Sequence, residues 1–314
     1  DPDEYVLLLA DRKLLELPLE SLSFLQGLGS VSRDFSLQLF HSRLRREEPQ
    51  KVERDNKKKS KGVEGTKEKG DQSQTIKQVS AKHLGPSYTF AFDAQNFKYV
   101  VDPLDEKYFG EKTLSMEVKE VMKTHNHHWT HLWERLLGSK DRPSLFQKEQ
   151  VLCRCSGFVY LGMDPLLANF PPARLAAFNL PECHVVLLFD RVLNKTNVLH
   201  ETNLERKKSA GQLSLEKPLE TALLLSLSGV GCIVLNQWHS SLLQNTQDAA
   251  AVLDNTLRLR LTCGQTIQAL RRRDDRNTPH HNYKGPTEKA PYEPALPSSA
   301  FNCVLYGLPQ LTAS

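Results

Sequence analysis

Long apolar stretches are missing from this sequence. No run of about 18 apolar residues occurs in its 314 positions, so no helix is expected to cross a membrane. The opening residues, DPDEYVLLLADRK, carry no basic leader, no small-residue cleavage site and no initiator Met. That excludes a secretory signal peptide there and leads us to expect a piece of a longer or processed chain. Cysteine is sparse, with six residues at 153, 155, 183, 232, 263 and 303, and no CxxC pair occurs. A disulfide framework is not expected at this size and spacing, and free thiols in a reducing compartment are. Cys153, Cys155, Cys232 and Cys303 sit in or beside apolar runs, where a thiol behaves as a small hydrophobe.

Charge of one sign is also scarce outside a single segment. The net charge is +4. Between Arg45 and Gly70 there are ten Lys/Arg and six Asp/Glu, leaving 31 of each sign elsewhere. The body is therefore neutral, and aromatic residues are not interleaved with the basic runs, so no nucleic-acid surface is indicated.

Several short apolar runs bounded by charge or turn residues are present. YVLLLA (5–10), KYVV within 98–102, FVYLG (158–162), HVVLLF (184–189), CIVLNQW within 231–238 and NCVLYG (302–307) read as strands buried on both faces. Helical stretches fall between them, at 114–138, 219–227, about 243–260 and 265–272. Asp164-Pro165 reads as a helix start, with Asp as cap and Pro at the first position. SVSRDFSLQLF also reads as helical, with Ser32 as a cap and Phe35, Leu39 and Leu44 at helical spacing. LLELP suggests a short second strand, residues 88–102 a hairpin of two strands, and 151–162 one long strand that places Cys153 and Cys155 on the same face. Strands alternating with helices predict an α/β domain with a mostly parallel central sheet flanked by helices, over residues 1–314 as one domain.

Three segments read as lying outside the core. Residues 45–82 are rich in Lys, Glu, Gly and Ser with almost no large apolar residue, and are expected to be a disordered insert. Residues 194–217 form a polar loop. Residues 273–299 hold five of the 17 prolines and form a Pro-rich loop.

The order of these segments resembles the CHAT family, the caspase-like fold of separase and its relatives. LLELPLESL with Pro18, Glu20 and Leu22, then SVSRDFSLQLF, KYVVDP, HHWTHLWERLLG, the passage from Ala222 to Leu261 and the closing FNCVLYG follow the family's sequence of motifs. The resemblance implies a caspase-like layered fold. It also places the family's Gly-His-Gly turn at Gly162-Met163-Asp164 and its Gly-Cys-Ser turn at Phe189-Asp190-Arg191. The two residues of the peptidase dyad would then be Met163 and Asp190. Met cannot transfer a proton, and Asp lacks the nucleophilicity of a thiolate. Asp190, beside Arg191, reads as a solvated or ion-paired carboxylate. The expectation is a pseudo-peptidase with no catalytic residue, no cofactor and no metal.

Residues near the two turns offer candidates for substitute chemistry. Cys183 and His184 lie at the start of their strand, about 20 Å from the turn. An unorthodox hydrolase using Asp190 with His184 is the competing enzymatic reading. His127 and His131 share a helical face within the cluster His125, His127, His128 and His131, but the Glu that zinc peptidases place after the first His is His128 here, and no third ligand is evident. SVSRDFSLQL, FVYLGM and FNLPEC also resemble axonemal proteins of the central apparatus of motile cilia. That resemblance implies a structural role in the cytoskeleton of the cilium, central-apparatus proteins as partners, and helical repeats upstream. The flexible basic insert offers tubulin's acidic tails as another partner.

Overall fold

The computed structural model describes residues 4–47, 89–101, 134–137, 144–162, 165–192, 209–215, 217–277 and 301–314. Most of the expected insert, the His/Trp-containing stretch up to Trp133, Met163 and Asp164, and most of the two expected loops lie outside the described residues.

Strands are numbered β1 Tyr5–Leu9, β2 Ser30–Asp34, β3 Phe90–Phe92, β4 Phe97–Val101, β5 Glu134–Leu137, β6 Gly157–Leu161, β7 Val185–Phe189, β8 Cys232–Asn236, β9 Cys303–Gly307 and β10 Leu311–Ala313. Helices are α1 Leu37–Glu47, α2 Leu145–Cys153, α3 Leu166–Asn169, α4 Pro172–Ala176, α5 Ala210–Leu215, α6 Pro218–Ser228, α7 Leu242–Leu253 and α8 Cys263–Asn277. Eight strands form one sheet in the order β1-β2-β9-β8-β7-β6-β4-β5, and β3 pairs with β10 in a second, two-stranded sheet. All six apolar runs expected to share a sheet do so. β5, β4, β6, β7 and β8 run parallel; β9 is antiparallel to β8, and β2 and β1 follow the direction of β9. The carboxyl ends of β4 to β8 therefore share one edge of the sheet.

Both faces are covered, which is why these strands are apolar without alternation. Val159, Leu161, Leu187, Phe189, Val234 and Leu305 pack on one side with residues of α7 and α8. Phe158, Tyr160, Val186, Leu188, Ile233 and Val304 pack on the other with residues of α2, α3, α4 and α6. α6 ends at Gly229, whose φ of 107° is open to Gly at little cost.

Several local expectations are corrected. SVSRD is a fully buried strand, not the start of a helix, and Ser32 lies within it. The helix begins at Leu37, where Ser36 Oγ accepts from the Leu39 N–H at 3.2 Å. Glu134–Leu137 is a strand beside β4. Residues 145–153 are helical, started by a capping box of Ser144 with Gln147, so Cys153 is exposed at a helix end and Cys155 is buried. β3 and β4 belong to different sheets and form no hairpin. The LLELP region forms short 3-10 turns at Leu14–Glu16, Leu19–Ser21 and Ser23–Leu25. A short helix, α5, falls within the expected polar loop.

Candidate functional site at the carboxyl edge of the sheet

β6 and β7 are neighbours with Leu161 opposite Phe189, and the Gly162 N–H donates to the Phe189 carbonyl at 3.3 Å. The two turns singled out in the sequence therefore leave the sheet side by side. Met163 and Asp164 are outside the described residues; Asp190 is not. It follows β7 directly and is only 6% exposed. Its Oδ2 accepts a hydrogen bond from the Leu166 N–H at 2.6 Å.

Leu166 is the first residue of α3, and Pro165, the residue preceding it, has no side-chain oxygen to cap the helix. The carboxylate of Asp190, arriving from the next strand, caps this helix instead. The expectation of a solvated Asp190 is corrected: it is buried and bonded to backbone. Burial pushes its carboxyl above the usual range, while Arg191, the Leu166 and Asp190 N–H groups and His239 pull it partly back. Pro165 stands at the cap position, one residue earlier than the sequence reading put it.

The substitute groups are elsewhere. His184 precedes β7, at the opposite end of the strand from Asp190. Its Nδ1 lies 2.8 Å from Glu47 of α1, and its carbonyl accepts from the Cys232 N–H at 2.8 Å. A five-residue strand, about 17 Å, separates the two groups. Cys183 is buried, its Sγ 3.8 Å from Cys155 Sγ. The bond to Cys155 and burial push its thiol well above the usual range. Cys303 opens β9 opposite Asn236, at the carboxyl edge of β8, and burial drives its thiol far upward. Among the described residues, no group of three or more His, Cys, Asp or Glu is placed to hold a metal ion.

Beside this edge lies a group of residues that the sequence reading did not assign. Arg33 is fully buried; its Nε donates to Glu20 Oε1 at 2.7 Å, its Nη2 also meets Glu20 Oε2, and its Nη2 donates to the Leu17 carbonyl at 2.8 Å. Burial alone would raise the Glu20 carboxyl, but the Arg33 guanidinium outweighs it and holds the carboxyl below the usual range. Arg271, expected near the end of the last helix, is instead within α8 and buried, with Nη2 3.9 Å from Glu20 Oε1. Gln237, in the amide orientation that suits its neighbours, accepts from Arg33 Nη2 at 3.0 Å. A cavity of about 220 Å³ opens nearby, lined in part by Leu15, Glu16, Lys217, Leu235, Gln237 and Tyr306. A polar strand gave no signal for this network; only the partners, distant in sequence, reveal it.

The fold is shared with separase. The chain aligns over 98% of its length with the Saccharomyces cerevisiae separase of a separase–securin complex, at a TM-score of 0.58 and 13% identity. A second structure of that complex aligns over 99% of the chain at a TM-score of 0.54 and 11% identity. In each case the chain spans 16% of the matched chain. The caspase-like α/β architecture is thereby established. In sequence, an 81-residue stretch is 36% identical to cilia- and flagella-associated protein 46 of Chlamydomonas reinhardtii. That stretch is 26% of this chain and 3% of the relative. No protein-family model matches the chain.

Proposed function

We propose that this chain is a caspase-like module without peptidase chemistry, serving as a structural and interaction part of the axoneme of motile cilia, within the central apparatus. The observation that carries the non-enzymatic half is Asp190. The turn that the family resemblance assigns to the nucleophile ends in a buried carboxylate whose oxygen is engaged as a helix cap. A side chain in that role supports the neighbouring helix and is not presented to a substrate. The thiol named as a substitute, Cys183, is buried and pushed well above its usual range, which disfavours the thiolate that peptidase chemistry needs. The ciliary half rests on the similarity to cilia- and flagella-associated protein 46. Central-apparatus proteins are the partners proposed with it, and tubulin's acidic tails are the partner proposed for the basic segment at 45–70.

Two measurements test the halves separately. Incubation with an acyloxymethyl-ketone cysteine-peptidase probe and with a peptide library is expected to give neither labelling nor cleavage. Thiol-dependent turnover by the purified chain would overturn the non-enzymatic reading. A fluorescently tagged chain expressed in ciliated cells is expected along the axoneme. Uniform cytosolic signal excluded from cilia would overturn the ciliary reading.

A further inference from the structure

The cavity of about 220 Å³ opens between the first 3-10 turn, the start of α6 and the end of β8. Leu15 comes from the turn, Leu219 from α6, Leu235 from β8 and Tyr306 from β9, and all four are buried, so the interior is apolar. One wall is fixed from behind. The Tyr306 ring stacks on Phe35 with centroids 5.2 Å apart, and Gln237 accepts from Arg33 Nη2 at 3.0 Å. A pocket whose walls are already ordered loses little freedom when a ligand enters. An apolar cavity of about 150 Å³ is enough to hold benzene, so this one has room for a leucine or phenylalanine side chain.

The charged lining is one group of each sign. Lys217 Nζ lies 2.8 Å from Glu16 Oε1, and both side chains are half-exposed. Nearby, Arg12 pairs with Glu220, and its neighbours Asp11 and Lys13 are of opposite sign. Arg271, the excess cation of the buried network, does not line the cavity. An anion entering here meets Glu16, a cation meets Lys217, and an uncharged ligand gains nothing from the pair. A zwitterion meets an opposite charge at both.

Lys217 is also badly suited to its position on structural grounds alone. It stands at the cap of α6, where a side-chain acceptor is preferred, and it makes no capping hydrogen bond. The start of a helix carries partial positive charge, which disfavours an ammonium. A ligand carboxylate would relieve both, facing the ammonium and the positive end of the helix together.

We infer that this cavity binds a free α-amino acid with an apolar side chain of leucine to phenylalanine size. Its carboxylate lies against Lys217, its ammonium against Glu16, and its side chain among Leu15, Leu219 and Leu235.

The test is isothermal titration calorimetry of the whole 314-residue chain with free amino acids and two blocked analogues. L-Leucine, L-methionine and L-phenylalanine are expected to bind with dissociation constants between about 10 µM and about 1 mM. Glycine, which leaves the apolar space empty, and glutamate and lysine, which carry charge into it, should bind about tenfold more weakly or worse. Leucine amide lacks the carboxylate and N-acetyl-leucine lacks the ammonium, and each should lose about tenfold or more. Two variants assign the ends. Lys217→Met should no longer distinguish leucine from leucine amide, and Glu16→Gln should no longer distinguish leucine from N-acetyl-leucine. A half-exposed ion pair adds little to stability, so both variants should melt close to the parent chain. Should either fold poorly, the blocked analogues on the unaltered chain decide. No saturable binding of any apolar amino acid up to about 10 mM would overturn the inference. So would analogues that bind as well as leucine, or variants that keep the full discrimination. None of these outcomes depends on whether the chain cleaves peptides or enters cilia.

Discussion

β7 and β2 are both five-residue strands, both fully buried, both inside the same sheet, and they are built in opposite ways. β7 is VVLLF. Every side chain meets other hydrocarbon, on one face through Leu187 and Phe189 and on the other through Val186 and Leu188. β2 is SVSRD, in which four of the five side chains are polar. It stays buried because each charge is matched from elsewhere. Arg33 is met by Glu20 and the Leu15 and Leu17 carbonyls. Asp34 accepts from Arg43 Nε at 3.0 Å and from the Phe35 N–H at 2.8 Å. Burial of β7 follows from composition alone, and burial of β2 follows only once its partners are in place. The first kind of strand loses stability by degrees when trimmed; the second is exposed to abrupt failure, because removing one partner strands the other.

The sharpest way to break that comparison is Arg33→Met. It leaves Glu20 buried without its guanidinium, at an expected cost of about 3–5 kcal/mol. Arg271, 3.9 Å from Glu20, should hold the loss toward the lower figure. The sign with pH follows from the depressed Glu20 carboxyl. The stabilisation is present above its unfolded value and is lost as pH falls through the folded one, so the deficit of the variant should narrow in acid. Adding Glu20→Gln should recover a large part of the loss. Urea denaturation of the single and double variants measures both, and an additive double variant would show that the pair is not coupled.

In β7, Leu187→Ala should cost about 2–4 kcal/mol, from lost transfer energy and the cavity left behind. Here no second substitution at a polar partner should restore stability, and the deficit should be flat with pH. A pH-dependent deficit in this variant would blur the distinction between the two strands.

The same contrast explains what the sequence made legible. The apolar runs of β1, β4, β6, β7, β8 and β9 marked six strands of the sheet, because a strand covered on both faces needs hydrocarbon throughout. The sequence of β2 resembles a helix entry: Ser, Arg and Asp are poor strand formers, and Phe35, Leu39 and Leu44 do fall on helical spacing just beyond it. The turn after β7 was recognisable, and the environment of its carboxylate was not. Arg191, adjacent in sequence, suggested a surface pair, whereas the decisive partner is the Leu166 N–H, 24 residues away. A second signal was available, since a helix preceded by Pro165 has no cap of its own and must find an acceptor elsewhere.

The smallest expected effect sits at Asp190, and it separates a cap from a catalytic carboxylate. Burial raises its carboxyl above the unfolded value of 3.8, so the native state holds its proton more tightly than the unfolded chain. In the window between the unfolded and folded values, the native state binds more protons, and stability from this group falls as pH rises. Asp190→Asn keeps an oxygen for the Leu166 N–H and removes the charge. It should leave stability at neutral pH unchanged or raised by up to about 1 kcal/mol, and abolish that fall. Asp190→Ala removes the acceptor as well and should cost about 1–2 kcal/mol through the uncapped, buried N–H. Thermal denaturation across the acid range reads both. Equal losses in the two variants would mean that the negative charge, and not the hydrogen bond, is what this position supplies, which would return Asp190 to consideration as a reactive group.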